Sequence, residues 1–397
     1  MSSLPAAPAV PTVPIARTVP VTNTAVASAL LALADAEPPG SRPASEFRAA
    51  AWTLRQLPAD LWGRRVRIAG IPHVSPRAAD AVESFLSCRS DESVADRLAS
   101  LLDRDDPARE RKADFLSQAD VERILAPPRA GAGGTQAAAP LLSMADLRGD
   151  LHLHTNRSDG QMPLPSLFRA LEARGDRYAL LTDHARDCAV AGGLFPGDFA
   201  AQRREVDALN ARSDGFVMFV GAEANIAEDG TIDVTPALVP ELDAVVASIH
   251  TEIRSSRDQT ARLVRAIQTP GVAVLGHPKG RLYNVRSGIR ANWPKVFEAA
   301  AAAGVAIEIN GCPERLDLPP SMVRMALSAG CLFTIASDAH ARRHLDFVRF
   351  ALAVARLAAI PADRIVNTWT PDRVADWLGV RPLDIGKSFG ISQYPKA

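Results

Sequence analysis

The chain is short of the residues on which several common kinds of site depend. Its 397 residues include only four cysteines, and no two of them form a Cys-x-x-Cys pair. This argues against a thiolate zinc site or a disulfide framework, and it is typical of reduced thiols in the cytoplasm. The 45 basic residues balance the 45 acidic ones, so no net charge marks a nucleic-acid or membrane binder. No apolar run approaches the roughly 18 residues that a membrane span needs, and we expect a cytoplasmic soluble protein.

What is present is enough apolar sequence for a large core and enough proline for linkers. Hydrophobic residues make up 47% of the chain, and there are 30 prolines. Changes in composition along the chain divide it into five predicted regions. They are a disordered leader (1–21), a helical domain (22–126), a linker (127–147), an α/β domain (148–378) and a C-terminal tail (379–397).

The front region has the pattern of a small all-helical domain. Helices are predicted over Thr24–Ala36, over Ala44–Leu57 and from Ser75 to about Cys88, with a glycine-bearing hairpin at Arg67–Pro72. This order resembles a helix-hairpin-helix unit, in which the amides of the hairpin hold a nucleic-acid phosphate. Pro72 stands where a second glycine is usual and removes an amide donor. Two alternatives therefore stay open: DNA binding, or a helical remnant that only packs or dimerises.

The second region alternates short apolar runs with helical patterns. Strands are predicted at Asp150–His154, Tyr178–Thr182, Val217–Ala222, Ala244–Ile249, Val272–Leu275, Val305–Ile309 and Leu332–Ala336. The helical patterns between them are Leu164–Arg174, Asp198–Arg212, Asp258–Gln268, Trp293–Ala303 and Ser321–Ala329. Alternation of this kind over more than 200 residues predicts a parallel sheet, either a barrel or doubly wound.

Histidines and carboxylates follow the ends of these strands. His152 and His154 alternate with leucines, which places both imidazoles on one face of the first strand. Six of the eight histidines lie at strand ends, on one rim if the strands form a barrel, and that rim is where barrels place their chemistry. The candidate ligands are His152, His154, Asp159, His184, Glu223, His250, His277, Asp338 and His340.

These nine side chains are all imidazoles and carboxylates, a donor set that suits zinc, manganese or iron. Nine donors are too many for one ion and reasonable for up to three. Three carboxylates against three divalent ions leave a positive pocket, which attracts an anion such as a phosphate ester. Paired ions about 3.5–4 Å apart can polarise phosphoryl oxygens and lower the pKa of a bridging water. That metal-bound water is the predicted nucleophile, and no separate catalytic residue is assigned.

The motifs around these ligands resemble those of the PHP (polymerase and histidinol phosphatase) superfamily. They are Asp150–Thr155 with Ser158-Asp159-Gly160, Thr182-Asp183-His184, Gly276–Arg281 and Ser337–His340. The resemblance is strongest to the C-terminal PHP domain of bacterial family X DNA polymerases, over about residues 148–378. Residues 22–89 resemble the helical N-terminal domain of the same polymerases, but no polymerase region lies between. The implied fold is a distorted (β/α)7 barrel preceded by the small helix-hairpin-helix-like domain.

The resemblance also implies how the ligands divide among the ions. His152, His154, Glu223 and Asp338 would hold one ion, Glu223 would bridge to a second held by His250 and His277, and Asp159, His184 and His340 would hold the third. Asn225 departs from the family, which commonly has aspartate there.

Candidate phosphate-binding residues near the rim are Arg254, Lys279, Arg281, Arg315 and Asn310. For the four cations, the alternative is that each is a solvated charge on a loop. Cys312 is predicted to be a small buried filler rather than a nucleophile.

The leading prediction for the substrate is a nucleic-acid phosphodiester, hydrolysed at the end of a strand by a 3′–5′ exonuclease-like activity, because the resemblance is to polymerase-linked PHP domains. The neutral charge and the altered hairpin favour the alternative, a phosphatase acting on a small phosphate monoester. A histidinol-phosphate phosphatase is a weaker candidate, because the front domain has no role in that reaction. A non-catalytic DNA-binding scaffold would be expected to have lost metal ligands, and all nine are present.

Overall fold

A computed structural model describes most of the chain outside its termini. The described residues are 22–38, 41–57, 68, 71, 74–86, 116–127, 142–185, 193–235, 238, 241–282 and 286–380. The predicted leader, most of the hairpin and linker, and most of the tail lie outside them. The chain divides into two compact units at Arg109 and Glu110.

The first unit contains the three predicted helices, α1 (Asn23–Ala36), α2 (Arg42–Gln56) and α3 (Pro76–Leu86). Helix α2 begins after Ser41, whose hydroxyl oxygen accepts the Ala44 N–H at 3.3 Å. One face of α2 is buried, through Ala44, Phe47, Ala50, Ala51 and Leu54. The same spacing of apolar residues is what predicts an amphipathic helix from the sequence.

The first described helix of the second unit is α4 (Gln118–Leu125), which lies against the last long helix of the barrel, α10 (Val348–Leu357). Glu122 accepts from Arg349 at 2.7 Å, and the Ile124 carbonyl accepts from Arg356 at 2.7 Å. The division at Arg109 therefore falls before residue 126, where the sequence analysis places the end of the front domain. The domain boundaries drawn from composition stay predictions.

Seven parallel strands in sequence order form one sheet with helices between them. The strands are β1 (Gly149–Leu153), β2 (Tyr178–Leu181), β3 (Val217–Asn225), β4 (Ala244–Ser248), β5 (Val272–Leu275), β6 (Ala306–Asn310) and β7 (Phe333–Ala336). The remaining helices are α5 (Leu164–Arg174), α6 (Pro196–Asn210), α7 (Thr260–Ile267), α8 (Trp293–Ala303), α9 (Pro320–Ser328), α10 and α11 (Pro371–Leu378). This confirms the predicted (β/α)7 barrel.

The barrel closes imperfectly between β1 and β7. At the carboxyl end of the strands a single bridge joins Leu153 to Ala339, and the His154 N–H donates to the Ala339 carbonyl at 3.0 Å. At the other end the buried side chain of Asn367 replaces strand pairing. Its amide nitrogen donates to the carbonyls of Gly149 and Ile335 at 2.8 Å each, and its oxygen accepts the Ile335 N–H at 2.7 Å. A polar side chain thus satisfies backbone groups that a regular ladder would pair.

The strands are buried along their whole length apart from one position in β5, which explains their near-continuous apolar sequences. Leu167 and Leu171 of α5 pack on Leu181 and Val220 of the sheet. A second cluster joins Leu151, Tyr178, Phe219 and Val246 to Trp369, which follows the barrel. Within the described part of the chain, no helix combines the length and the apolar character that crossing a membrane requires.

Candidate metal centre

The first strand and the turn after it supply three of the nine candidate ligands. His152 lies in β1, His154 follows its last residue, and both are fully buried. The turn then brings Asp159 back beside them, because Gly160 N–H donates to the Thr155 carbonyl at 2.9 Å. A Cβ on Gly160 would lie 2.6 Å from the His154 carbonyl oxygen, so this return of the chain requires glycine.

The other six ligands follow or lie in later strands, and the barrel brings all nine to one place. They form four overlapping groups, and within each group the potential metal-binding atoms lie within 4.8 Å of one another. The groups are His154 with Asp159, His184 and His340; His152 with His154 and Asp338; His152 with Glu223 and His277; and His184 with Glu223 and His250. Because the groups share members, the nine side chains form one continuous cluster of candidate ligands rather than separate sites.

Glu223 lies at the centre of the cluster. Its two oxygens face different histidines, as expected of a carboxylate that bridges two ions. The distances from Oε2 are 3.2 Å to His152 Nε2, 3.5 Å to His154 Nε2 and 3.2 Å to His184 Nδ1, and those from Oε1 are 3.2 Å to His250 Nε2 and 2.8 Å to His277 Nε2.

Asp159 and Asp338 occupy the side of the cluster near the β1–β7 seam. Asp159 Oδ2 lies 3.3 Å from His340 Nε2 and 3.5 Å from His184 Nε2. Asp338 Oδ1 lies 3.4 Å from His154 Nε2. Each carboxylate therefore faces at least one imidazole nitrogen across a gap that is too long for a strong hydrogen bond.

Two of the ligands have strained backbones. Asp338 has φ of 53° and His277 has φ of 21°, values that residues with a Cβ rarely adopt. Such strain persists only where surrounding contacts impose it, and it is concentrated at functional sites. At His277 one of these contacts is Glu308, which accepts the His277 N–H at 3.0 Å.

Buried donor atoms in the cluster lack hydrogen bonds, and this tests whether a metal fits. Among the described residues, His152 Nε2 and both ring nitrogens of His154 are buried without a hydrogen-bond partner. Leaving such atoms unsatisfied costs about 1–3 kcal/mol each. Divalent cations would satisfy several of them at once, because neutral imidazoles and carboxylates are their ordinary ligands. The donor set therefore fits divalent metal ions.

The protonation of the carboxylates also suits metal binding. Burial raises the pKa of Glu223, but His152, His184 and His250 outweigh it and hold that pKa well below the usual range. The pKa of Asp338 is likewise held well below its usual range, since His152 and His154 outweigh the effect of burial. Both groups are anions at neutral pH.

The histidines differ among themselves. Burial and the neighbouring positive His340 lower the pKa of His154 to about 4, so His154 is neutral. Burial alone would lower the pKa of His340, but Asp159 and Asp338 raise it to about 9. An ion bound at His340 must therefore displace a proton.

Glu308 is a functional residue that the sequence reasoning did not assign. Its Oε2 lies 2.7 Å from His152 Nδ1, and its Oε1 accepts from the His277 N–H and from the Asn310 amide at 2.8 Å. A carboxylate on one ring nitrogen fixes the tautomer that presents the other nitrogen to a metal. The available signal was a glutamate inside an apolar strand, β6, where an unpartnered charge would not be buried.

Asp183 is a second such residue and holds the turn that carries Asp159. It is fully buried and accepts from the hydroxyls of Thr155 and Ser158 and from the amide of Gln202, at 2.6 Å each. Asn225, the departure from the family pattern, accepts the His250 N–H through its Oδ1 at 3.0 Å. Both side chains thus position backbone next to a ligand.

The predicted phosphate-binding residues differ in where they lie. Arg315 Nε is 3.4 Å from Asp338 Oδ2, which places its guanidinium at the cluster. Arg254 is exposed and Lys279 is half-buried. Arg281 is only 3% exposed and donates to the carbonyls of Arg315 and Leu316, so its guanidinium holds a loop instead of facing solvent. Asn310 is fully buried and donates to Glu308 and to Asp338 Oδ2 at 3.1 Å.

Cys312 and His344 also lie near the cluster, and neither is one of its nine candidate ligands. Burial and Asp338 raise the pKa of the Cys312 thiol to about 12, so it is not a thiolate at neutral pH. His344 lies outside the nine-donor cluster, and its Nδ1 accepts the His340 N–H at 3.3 Å.

Comparison with known proteins gives relatives that match a little over half of the chain. No family model matches the chain. It is 32% identical over 228 residues to the DNA polymerase/3′-5′ exonuclease PolX of Bacillus subtilis, covering 57% of this chain but only 40% of that protein. It is 30% identical over 252 residues to a probable phosphatase of Caldanaerobacter subterraneus subsp. tengcongensis, covering 60% of this chain and 93% of the phosphatase. A histidinol phosphate phosphatase from Lactococcus lactis, solved with zinc, L-histidinol and phosphate, covers 54% of this chain and 94% of that chain, with 16% identity and a TM-score of 0.41.

The phosphatase relative is matched over nearly its whole length. The nine imidazole and carboxylate side chains converge at the carboxyl ends of the strands in that barrel. The chain belongs to the PHP superfamily.

Proposed function

We propose that the cluster binds up to three divalent ions and hydrolyses phosphate monoesters. The observation that carries this proposal is the convergence of nine ligand-type side chains around Glu223, with buried donor atoms that have no hydrogen bond. In the proposed allocation the ions divide as the family resemblance implies. One is held by His152, His154, Glu223 and Asp338, the second by Glu223, His250 and His277, and the third by Asp159, His184 and His340.

The bound ions would polarise a phosphoryl oxygen and lower the pKa of water, which makes a nucleophile at neutral pH. The protein's own groups position the phosphate and the metal ligands. Arg315, next to Asp338, binds a phosphate oxygen and offsets negative charge as it develops. Glu308 keeps the proton of His152 on Nδ1, so that Nε2 remains a ligand. Zinc, manganese and iron all suit this donor set.

A monoester is the first candidate substrate because the relative that is covered over 93% of its length is named a probable phosphatase. Hydrolysis at nucleic-acid ends is the second candidate. It is favoured by 32% identity to a DNA polymerase/3′-5′ exonuclease, although the match spans 40% of that protein. A DNA-binding role for the helix-hairpin-helix-like front region belongs with this second candidate.

The test combines metal analysis with turnover. Purified protein is examined for zinc, manganese and iron, and then assayed on p-nitrophenyl phosphate, a bis-p-nitrophenyl diester and a single-stranded oligonucleotide. Glu223→Gln should lose bound metal, and its activity should fall by more than about a hundredfold. This is a larger loss than is typical when only a hydrogen-bond partner of a metal ligand is removed. Glu298→Gln, the same change on the exposed face of α8, is the matched control and should behave as the unaltered protein. A metal-loaded protein without hydrolysis of any ester would favour the scaffold alternative.

A further inference from the structure

Three loops at the carboxyl rim meet at Gly280 and Arg281. Gly280 follows β5, and Ile253 Cγ2, from the loop after β4, lies 3.4 Å from where a Cβ on Gly280 would stand. Farther along the β5 loop, Arg286 folds back and its Nε donates to the Gly280 carbonyl at 2.7 Å. Arg281, the residue after Gly280, donates through Nε to the Arg315 carbonyl, which lies in the loop after β6, at 2.9 Å. Residues 280–281 therefore fix the relative positions of all three loops.

Arg254, Arg286 and Arg315, one from each of these loops, differ in how far they are exposed. In the turn Glu252–Ser255, closed by the Ser255 N–H to the Glu252 carbonyl at 3.0 Å, Ile253 packs on Gly280 and Arg254 is exposed. Arg286 is half-buried. Arg315 reaches the cluster itself, next to Asp338. The three arginines thus range from one at the cluster, through one that is half-buried, to one that is exposed.

The electrostatics of this arrangement are unfavourable without an anion. Burial lowers the pKa of Arg286, and the positive charges of Arg315 and Arg254 lower it further. Among the described residues no carboxylate forms an ion pair with Arg254 or Arg286. Asp317, the nearby buried carboxylate, only partly offsets these effects on the pKa of Arg286, and it also accepts the backbone N–H groups of Lys279 and Arg281 at 3.2 and 3.3 Å. Cations held together with so little compensation are typical of a site for a multiply charged anion.

We propose that Arg254 and Arg286 form a second anion subsite beside the metal cluster. The preferred substrate then carries a second phosphate in addition to the one that is hydrolysed. This deepens the proposed function and rests on it: Arg315 binds the reacting phosphate, while the two outer arginines hold the other. A nucleotide end has this chemistry, because its terminal phosphate has a neighbour one sugar away, whereas a simple monoester leaves the outer subsite empty.

The test compares the kcat/KM values for thymidine 3′,5′-bisphosphate and for the two thymidine monophosphates in the metal-loaded full chain. The bisphosphate should be preferred by about tenfold or more, since each charge-assisted hydrogen bond contributes about 1.5–3 kcal/mol. Arg254→Gln and Arg286→Gln should each reduce this preference about tenfold. Arg257→Gln is the matched control, because Arg257 is on the same exposed loop and pairs with Glu228 at 2.8 Å. It should leave every rate unchanged.

A structural effect of either substitution would lower turnover of all three substrates in parallel and leave their ratio unchanged. That result, or a protein without preference for the bisphosphate, would overturn the subsite. A binding arm separates this from failure of the proposed function. Calorimetric titration of the metal-loaded protein with the bisphosphate needs no turnover, and Arg254→Gln should weaken that binding about tenfold. If no ester is hydrolysed but this weakening is measured, the subsite stands and the proposed function fails.

Discussion

Replacing Glu308 by glutamine tests whether the buried partner of a ligand controls metal binding. The two side chains have nearly the same shape, so packing in β6 should be preserved. In the native site one Glu308 oxygen accepts from the His277 N–H and the Asn310 amide, and the other lies 2.7 Å from His152 Nδ1. A glutamine can keep its carbonyl toward the first two donors. Its amide group must then face His152, where the native site has an acceptor.

The consequence for His152 is a change of tautomer. Because the new amide is a donor, Nδ1 must become the acceptor and the ring proton moves to Nε2, the nitrogen that faces Glu223 at 3.2 Å. A protonated Nε2 cannot bind a metal. Loss of one charge-assisted hydrogen bond costs about 1.5–3 kcal/mol, and we therefore expect metal affinity to fall by about 10- to 100-fold. Loss of an outer partner of a ligating histidine elsewhere costs the same factor in metal affinity or activity.

Metal affinity is measured by competition with a chelator, activity with p-nitrophenyl phosphate, and the tautomer by the nitrogen chemical shifts of His152. Glu298→Gln is again the surface control. Thermal unfolding of the metal-free proteins shows whether the fold is kept. Metal affinity and turnover equal to those of the unaltered protein, in a variant with a native fold, would refute the role given to Glu308.

Three further changes test the turn, the seam and the unit boundary. Gly160→Ala places a Cβ 2.6 Å from the His154 carbonyl oxygen, so Asp159 must move; a shift of about 1 Å should cost about a hundredfold in kcat/KM. Asn367→Ala removes three buried hydrogen bonds and should lower the free energy of unfolding by about 3 kcal/mol in a urea titration. A fragment starting at Glu110 should match the full chain on p-nitrophenyl phosphate. One starting at Ser143 loses the fully buried Val121 and should unfold with about 1.5–3 kcal/mol less free energy. Equal stability of the two fragments would contradict the docking of α4.

The sequence was sufficient for the barrel and for the residues that converge at its rim. Strands in an all-parallel sheet are buried on both faces, so they are visible as apolar runs without alternation. Helices α5 and α8 begin and end at the predicted residues, since proline opens each first turn and glycine follows each last one. The carboxyl ends of parallel strands share one rim, and the residue after each strand was therefore predictable as a neighbour of the others.

The positioning residues were harder to predict because their role depends on partners far away in the sequence. Glu308 is 156 residues from His152, and no local pattern relates them. Arg281 could be read only as a charge after a rim motif, whereas in the fold the backbone carbonyls of a neighbouring loop hold its guanidinium. Asn310 is a second example. It was predicted to contact substrate, whereas in the fold it is buried and its amide donates to Glu308 and Asp338.

Barrel closure and the metal centre depend on each other at the β1–β7 seam. The Leu153–Ala339 bridge is what sets His154 beside Asp338 and His340, although nearly 190 residues separate these segments in the chain. Asp338 has a positive φ there, a backbone conformation that carries an energetic cost. An ion shared by His154 and Asp338 would hold both sides of the seam and favour the closed barrel. Since a ligand that binds only the folded state stabilises it, metal binding should contribute to closure as well as to chemistry.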